Sequence, residues 1–194
     1  DMHVEVKSAN GITIEPIETR LLANRIVILD KDINAQTALE VIKQLIILGK
    51  DKDKPIKMLI HSVGGEIDAG MMVIDAMKSL NVHTYCLGTA YSMAAIIFTA
   101  GQIGHRYMMK NSKLMLHEPR IMDNAGGTVT SIRELSKNLQ ETKEKLIKVL
   151  AANTQLPIDI CEKFVTDEDL FLDSVKAIAN KLCDGLASVA DLAE

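Results

Sequence analysis

The sequence predicts an α/β fold in which strands and helices alternate around a mainly parallel sheet. Apolar runs of strand length alternate with segments of helical periodicity, and the connections between them are short. Helical crossovers between parallel strands bury both faces of such a sheet. The chain has 194 residues, 47% of them hydrophobic, which suits one domain with its own core and no internal linker. We therefore expect a single domain that spans residues 1–194.

The N-terminal part of the chain holds most of the expected strands and helices. Residues 1–17 are either irregular or a short hairpin around Asn10-Gly11, a favourable turn pair. A helix is expected between Asn34, a candidate cap, and Gly49, a candidate stop. The expected strands are RIVILD (25–30), IKMLIHS (56–62), VHTYCLG (82–88), RYMM (106–109) and KLMLH (113–117). The other features are a charged loop at 50–55, a glycine turn, VGGE, at 63–66, and helices from Ile67 to Leu80 and from Ser92 to Gly101.

A different pattern begins after Pro119, where a weakly patterned stretch leads into a long expected helix from Ser131 to about Asn153. The apolar stripe of this helix consists of Ile132, Leu135, Leu139, Leu146, Val149 and Leu150. A helix that projects from the core with such a stripe needs a partner surface, which predicts a homo-oligomer. The alternative is a stripe that folds back on its own domain. Two short helices are expected afterwards, at 159–165 and 174–182.

Composition and charge exclude several classes of protein. The formal net charge is −4 and no stripe of lysine and arginine is present, so nucleic-acid binding is not expected. The longest nearly uncharged stretch, residues 81–104, contains too many polar residues and glycines for a membrane span. The first residues lack the apolar core of a signal peptide. Cys86, Cys161 and Cys183 are odd in number, widely spaced and outside any metal-binding pattern, which favours a reducing, cytoplasmic location.

Three chemical signals follow predicted parallel strands, at the sheet edge where α/β proteins hold their sites. Gly64-Gly65 could open backbone N–H groups to an oxyanion, although a glycine pair more often forms only a turn. Ser92 opens a helix, where unpaired N–H groups would stabilise a negative charge, although a serine there is usually an N-cap. His117 ends an apolar strand, where a structural histidine is the commoner case. His61 precedes the glycine pair and could line the same cleft.

Four segments resemble, in order, the motifs of the ClpP family, the proteolytic subunits of ATP-dependent Clp proteases. They are IHSVGGEIDAG, GTAYSMAA, KNSKLMLHEP and DEDLF, and the earlier RLLANRIVILDKDI resembles the family's first strand. The similarity runs from about Leu21 to Gly185, which is most of the chain. It implies a ClpP/crotonase-like fold of repeated strand–helix units. It also implies a projecting handle region at residues 120–155 and an axial segment at residues 1–17.

The resemblance implies roles for individual side chains. Ser92 would be the nucleophile, His117 the general base and Asp169 the residue that orients the base. A serine hydroxyl needs a histidine to take its proton, and that histidine needs a carboxylate to fix its tautomer. The family's D-x-F pattern selects Asp169, whereas spacing alone leaves open Asp167, Glu168, Asp169 and Asp173.

By the same resemblance the chain would be a serine endopeptidase. The N–H groups of Gly65 and Met93 would form the oxyanion hole, with Gly64 shaping the turn. Heptameric rings, stacked in pairs as a tetradecamer, would enclose the sites, and a AAA+ Clp ATPase would deliver polypeptide substrates. The chain itself would carry no cofactor. Because the sequence has no G-x-x-x-x-G-K-[ST] loop, ATP would be used only by the partner ATPase.

Other functions fit parts of this pattern. A catalytically silent or regulatory Clp-like subunit would normally have lost a triad residue, and all three candidates are present. A crotonase-type acyl-CoA enzyme shares the general fold and stabilises an oxyanion with backbone N–H groups, but it would not need the serine, histidine and aspartate together. A signal-peptide peptidase of related fold would favour a serine–lysine dyad and a membrane anchor, and neither is apparent in the sequence.

Four positions depart from the family pattern. Val63 stands where the family often has proline, His61 where it usually has asparagine, and Glu118 where it usually has glutamine. Glu168 occupies the position of an arginine that commonly contacts the opposite ring. Because both neighbours of Glu168 are also acidic, we expect a weaker contact between the two rings.

Overall fold

The computed structural model describes residues 2–122 and 126–193 as an α/β protein. Its strands are β1 (His3–Ser8), β2 (Gly11–Pro16), β3 (Ile26–Leu29), β4 (Ile56–Ser62), β5 (Val82–Tyr91), β6 (Arg106–Met109), β7 (Lys113–Leu116), β8 (Leu170–Asp173) and β9 (Gly185–Ala187). Its helices are α1 (Ile17–Ala23), α2 (Ala35–Leu48), α3 (Ile67–Met77), α4 (Met93–Thr99), α5 (Val129–Thr154), α6 (Ile158–Glu162), α7 (Ser174–Ala179) and α8 (Val189–Ala193).

A seven-stranded, mostly parallel sheet forms the centre of the molecule. β3, β4, β5, β6 and β9 lie side by side in that order, and each neighbouring pair is parallel. β5 is long enough to pair with two strands, first with β6 and then, through its last residues, with β7. β8 pairs with β7 in the antiparallel direction. The α/β class and the parallel core expected from the sequence are thereby confirmed.

The helix α2 begins and ends at the residues expected from the sequence. Asn34 Oδ1 accepts a hydrogen bond from the Thr37 N–H at 3.0 Å, and the Thr37 hydroxyl oxygen accepts one from the Asn34 N–H at 2.9 Å. This reciprocal pair satisfies two N–H groups at the start of the helix. Gly49 closes the helix by donating its N–H to the Leu45 carbonyl at 2.7 Å. Asn34 and Gly49 therefore cap the two ends of α2, as the sequence predicted.

The first residues form the hairpin rather than an irregular segment. β1 and β2 pair in the antiparallel direction, with Ser8 opposite Gly11 across the turn. The helix α1 that follows was not expected from the sequence. It has 7 residues, none of them buried. Seven residues are fewer than the roughly 11 over which helical periodicity is recognised, which explains why the pattern missed it.

Three further elements, β8, β9 and α8, were also missed. They have 4, 3 and 5 residues, respectively. The two strands exist because partners are present, since β8 pairs with β7 and β9 pairs with β6. These two strands therefore depend on tertiary contacts that a local sequence pattern does not show. β8 helps to position the site described below.

The apolar stripe of the long helix α5 is partly buried in its own domain and partly open to a partner, so each of the two alternatives holds for one half of the helix. In its C-terminal half, Leu146, Ile147 and Leu150 are buried in the domain's own core. In its N-terminal half, Ile132 remains 51% exposed. The expectation that the whole stripe meets a partner is therefore wrong for Leu146 and Leu150. Only the N-terminal half of α5 offers apolar surface to another chain.

The handle region expected at 120–155 contains α5, and residues 123–125 lie outside the described residues. None of the helices in the two described ranges combines the length and the apolar composition needed to cross a membrane.

Candidate active site

Ser92 lies at the junction of β5 and α4, where the chain turns sharply. Its φ and ψ angles are 54° and −124°, a conformation with positive φ that residues with a Cβ seldom adopt. Its N–H donates to the Met115 carbonyl at 2.7 Å, which ties the turn to β7. The Ser92 side chain makes no capping hydrogen bond to α4. The commoner role of a serine at a helix start, that of an N-cap, therefore does not apply here.

His117 faces the Ser92 hydroxyl. Its Nε2 lies 2.8 Å from Ser92 Oγ, a hydrogen-bonding distance. The parallel pairing of β5 with β7 sets Tyr91 opposite Met115, so the residues just beyond these strand ends meet at one edge of the sheet. The His117 side chain is 14% exposed. Its Nδ1 is buried and has no hydrogen-bond partner among the described residues.

Asp169 lies next to His117 because of the antiparallel pair formed by β7 and β8. In this pair Leu116 is opposite Leu170, so the residues immediately beyond it, His117 and Asp169, are neighbours. Asp169 Oδ1 is 4.0 Å from His117 Nδ1. This distance is too long for a hydrogen bond. The carboxylate is thus beside the imidazole without being bonded to it.

The other acidic residues considered for this position have different surroundings. Asp173 lies at the far end of β8, and its carboxylate accepts a hydrogen bond from the Lys176 N–H at 2.8 Å as the cap of α7. An acidic residue in this part of the sequence is usually a solvated loop residue, but Asp173 caps a helix. Asp167 and Glu168 precede β8 and are exposed. The register of β7 with β8 therefore separates Asp169 from the other three.

The glycine turn after β4 lies against the start of α4. Gly64 and Gly65 have φ angles of 97° and 152°, which glycine alone adopts without strain. A Cβ on Gly64 would lie 2.9 Å from the Ser92 Cβ and 3.1 Å from the Met93 nitrogen. A Cβ on Gly65 would overlap the Ile33 backbone. The backbone of this turn therefore approaches Ser92 and Met93 more closely than a side chain would permit.

Two ion pairs beside the site were not foreseen from the sequence. Arg120 Nη2 lies 2.6 Å from Asp169 Oδ1 and donates a hydrogen bond to the Asp167 carbonyl at 2.9 Å. Lys143 Nζ lies 2.6 Å from Glu118 Oε2 and joins the end of β7 to α5. The only signal was that Glu118 and Arg120 are charged residues next to the histidine motif, which does not identify their partners.

The surroundings of His117 lower the pKa of its imidazole below the ordinary value. Burial is the largest cause, and the Arg120 guanidinium acts in the same direction. The carboxylates of Asp169 and Glu118 act in the opposite direction but do not outweigh it. A lowered pKa keeps the ring neutral at neutral pH, which is the form that accepts a proton from a hydroxyl.

A small cavity of about 20 Å³ opens beside Ser92. Its lining is mostly apolar and comprises Ile67, Met93, Ile96, Leu116, Pro119, Leu146 and Val165, together with Ser92, His117 and Glu118. At this volume the hollow has room for about one water molecule beside the Ser92 hydroxyl.

Other histidines lie in different parts of the molecule. His61 Nδ1 contacts the Leu87 carbonyl at 3.0 Å and lines a separate hollow, so the expectation that it shares the Ser92 cleft is wrong. His83 and His105 stack with ring centroids 4.0 Å apart. The three cysteines are free thiols, and all are buried. Within the two described ranges, no group of histidine, cysteine, aspartate and glutamate is arranged to hold a metal ion.

A protein-family model described as Clp protease matches residues 9–189 of the chain. The match extends beyond the stretch from about Leu21 to Gly185 in which the sequence motifs were recognised. It includes β3 to β9, and with them the glycine turn, Ser92, His117 and Asp169. The chain therefore belongs to the Clp protease family, as its motifs predicted.

Proposed function

We propose that this protein is a serine endopeptidase in which Ser92 is the nucleophile and His117 the general base. The observation that carries the proposal is the 2.8 Å contact between Ser92 Oγ and His117 Nε2. The positive φ of Ser92 supports it, because strained residues other than glycine gather at functional sites. Membership of the Clp protease family points to the same chemistry.

The reaction follows from the two side chains in contact. Ser92 Oγ attacks the carbonyl carbon of the scissile peptide bond while His117 Nε2 takes the hydroxyl proton. The carbonyl oxygen becomes an oxyanion, to which we assign the N–H groups of Gly65 and Met93 as donors, with Gly64 keeping the turn close. His117 then gives its proton to the leaving amine, and the acyl group stays on Ser92. Water, deprotonated by His117, attacks the acyl group, and Oγ regains its proton as the carboxylate product leaves.

Asp169 is the residue that orients His117 in this proposal. A carboxylate bonded to Nδ1 fixes the tautomer that leaves the Nε2 lone pair free, and it stabilises the imidazolium that forms during the reaction. The separation of 4.0 Å between Nδ1 and Oδ1 must shorten to about 3 Å for this bond to form. A small rotation of the aspartate side chain would achieve this, since both residues already lie at neighbouring strand ends.

We further propose that the chain works inside a homo-oligomer of heptameric rings, stacked in pairs as a tetradecamer. Two exposed apolar residues on α5, Val129 (73%) and Ile132 (51%), support an interface on the handle region. Family membership supports polypeptide substrates and a partner AAA+ Clp ATPase. We assign the assembly to the cytoplasm, since the three cysteines are free thiols. ATP is then used by the partner, and this chain acts without a cofactor.

A catalytically silent or regulatory Clp-like subunit is the second candidate function. The ion pair between Arg120 and Asp169 favours it, because a carboxylate held by arginine does not orient His117. A crotonase-type acyl-CoA enzyme has no comparable support, since that chemistry does not need the contact between Ser92 and His117.

Turnover of short fluorogenic peptides tests the proposed function. Ser92→Ala and His117→Ala should each lower kcat by about 10³-fold or more, and the double variant should be no slower, because residues that act as a unit are not additive. Ser79→Ala, at an exposed serine after α3, is the matched control. Undiminished turnover by Ser92→Ala would reject the nucleophile. A wild-type protein as slow as Ser92→Ala would favour the silent subunit.

A further inference from the structure

Arg120 and His117 approach the same oxygen of Asp169. Arg120 Nη2 lies 2.6 Å from Oδ1, and His117 Nδ1 lies 4.0 Å from the same atom. The His117 Nδ1 is buried and has no hydrogen-bond partner among the described residues. In this geometry the Asp169 carboxylate is therefore bonded to the Arg120 guanidinium. The His117 imidazole lacks the carboxylate acceptor that a catalytic histidine uses.

We propose that Arg120 is a positioning residue that restrains the active site by competing with His117 for Oδ1 of Asp169. The inference rests on the proposed function of Ser92 and His117. While Arg120 holds the carboxylate, Nδ1 has no acceptor and the site turns over slowly. When Arg120 releases it, the carboxylate turns to Nδ1 and completes the site.

The backbone around Arg120 explains why it reaches the carboxylate. Arg120 Nη2 also donates to the Asp167 carbonyl at 2.9 Å, and the Glu118 N–H donates to the Thr166 carbonyl at 2.7 Å. These bonds continue the contact between the β7 and β8 strands beyond the strand ends. Arg120 and Asp169 thus lie on adjacent stretches of chain, and only side-chain rotation is needed to exchange the partners of the carboxylate.

The competition is weak enough to be reversed. The side chains of Arg120 and Asp169 are 43% and 38% exposed. Exposed ion pairs change an equilibrium by a factor of about five or less, because water replaces either partner at little cost. Removal of the guanidinium is therefore expected to raise the population of the complete site by about two- to fivefold.

The charges around His117 determine the expected pH dependence. Arg120 opposes protonation of the ring, Asp169 and Glu118 favour it, and Lys143 lies 2.6 Å from Glu118 and offsets its charge. Burial and then Arg120 lower the pKa of His117 in this setting. Loss of the Arg120 charge, together with a closer Asp169, raises that pKa. As the pH is lowered, a protein without the Arg120 charge should therefore lose activity at a higher pH than the wild type does.

Crystal structures and kinetics of Arg120→Gln and Arg120→Lys test the inference. In Arg120→Gln, the distance from His117 Nδ1 to the Asp169 carboxylate should shorten from 4.0 Å to about 3 Å. Its kcat/KM should rise about two- to fivefold, mainly through kcat, and its acid limb should move to higher pH. Arg120→Lys retains the positive charge and should retain the wild-type pH midpoint. Lys163→Gln, which removes an exposed charge at the end of α6, is the matched control.

An Arg120→Gln structure with the distance still at 4.0 Å would overturn the inference. Slower turnover with an unmoved pH midpoint would also overturn it and give Arg120 a supporting role. The distance between His117 Nδ1 and the Asp169 carboxylate can be measured whether or not the protein hydrolyses peptides. The proposed competition for Asp169 and the proposed peptidase function can therefore fail separately. A shortened distance in a protein whose serine is unreactive would reject the proposed peptidase and support the competition for Asp169.

Discussion

Ser92 combines a reactive position with a strained backbone. Its φ of 54° and ψ of −124° are held by the hydrogen bond from its N–H to Met115 and by those its carbonyl accepts from Ala95 and Ile96. A residue with a Cβ held outside the common regions costs about 1–3 kcal/mol. The surrounding structure therefore stabilises a conformation that Ser92 would not adopt by itself.

This strain predicts a difference between two inactive variants. Ser92→Gly should be more stable than Ser92→Ala by roughly 1 kcal/mol, because glycine relieves the strain but loses more chain entropy on folding. Both variants lack the hydroxyl, so the comparison is free of catalytic effects. Thermal unfolding of both proteins at equal concentration measures the difference. A Ser92→Gly protein that is less stable than Ser92→Ala would mean that no strain is stored at residue 92, because only the entropy cost of glycine would then remain.

His83 predicts a pH-dependent loss of stability. Burial lowers its pKa from 6.5 to about 4, with further contributions from the stacked His105 and from Lys57. The unfolded chain therefore binds the proton more readily, and stability decreases as the pH falls from 6.5 towards about 4. In His83→Gln this loss between pH 7 and pH 5 should be smaller, as urea unfolding at the two pH values would measure. His61→Gln, at an exposed histidine, is the control, and an equal loss in both variants would exclude His83 as its source.

At the residue scale, the site residues that could be predicted are those with a signal in the adjacent sequence. Ser92, His117 and the glycine turn follow apolar strands directly, so their convergence at one sheet edge could be expected. The choice of Asp169 needed the resemblance, because it depends on the register of β8, which has only 4 residues. The ion pair of Arg120 had no signal, since a charge in a loop does not reveal its partner.

At the element scale, an ion pair between a buried arginine and a partly buried aspartate joins β6 to the segment before β9. Arg106 donates to both carboxylate oxygens of Asp184, from Nε and Nη2, at 2.8 Å each. The two side chains are 2% and 18% exposed. Although burial alone would raise the pKa of Asp184, the Arg106 guanidinium holds it below the ordinary value. The backbone N–H of Gly104 donates to the same carboxylate at 2.9 Å, so the pair anchors the start of β6 as well.

Breaking this pair should destabilise the domain strongly. Asp184→Ala leaves the Arg106 charge buried without its partner, which costs about 3–5 kcal/mol of unfolding free energy. The double variant Arg106→Met with Asp184→Leu should recover much of the loss, because no charge is then left unpaired. Glu40→Gln in the exposed pair with Lys31 is the control and should leave the stability nearly unchanged. Urea unfolding compares them, and a negligible effect of Asp184→Ala would refute a structural role for the pair.

Elements that carry an apolar run or a clear cap were predictable, whereas elements that depend on a partner distant in sequence were not. α2 has both signals, and its bounds could be set within a residue of the observed ones. β9 has 3 residues and exists only because β6 lies beside it. The burial of Arg106 is likewise a property of the pairing, since an arginine at a strand start is usually exposed.

At the scale of the whole molecule, α5 divides into a half that belongs to the domain and a half that is open to a partner. Leu150 is 0% exposed, whereas Ile132 is 51% exposed on the same helix. The sequence could predict the stripe but not this division, because both halves have the same periodicity and only the tertiary contacts distinguish them. The acidic Glu168 still predicts a weaker contact between the proposed rings, although Arg120 offsets the charge of its neighbour Asp169.

Two substitutions on α5 should therefore affect different properties, one the assembly and the other the stability of the domain. Ile132→Asp should shift the proposed tetradecamer towards single rings without lowering the stability of the domain, because the residue contacts solvent in the single chain. Leu150→Ala should lower the unfolding free energy by about 2–5 kcal/mol, since it leaves a cavity in the core. Sedimentation velocity and thermal unfolding on the same samples separate the two effects. An Ile132→Asp protein that sediments like the wild type would remove Ile132 from the interface.

The chemistry of Ser92 is tested most directly by covalent labelling with a fluorophosphonate probe, followed by peptide mass spectrometry. The Ser92 Oγ in contact with His117 Nε2 should form one adduct, on the peptide that contains Ser92. The Ser92→Ala protein, folded as judged by circular dichroism, should form none. Labelling of Ser92→Ala at the wild-type rate, or an adduct at another residue of the wild type, would contradict the assignment of Ser92 as the nucleophile.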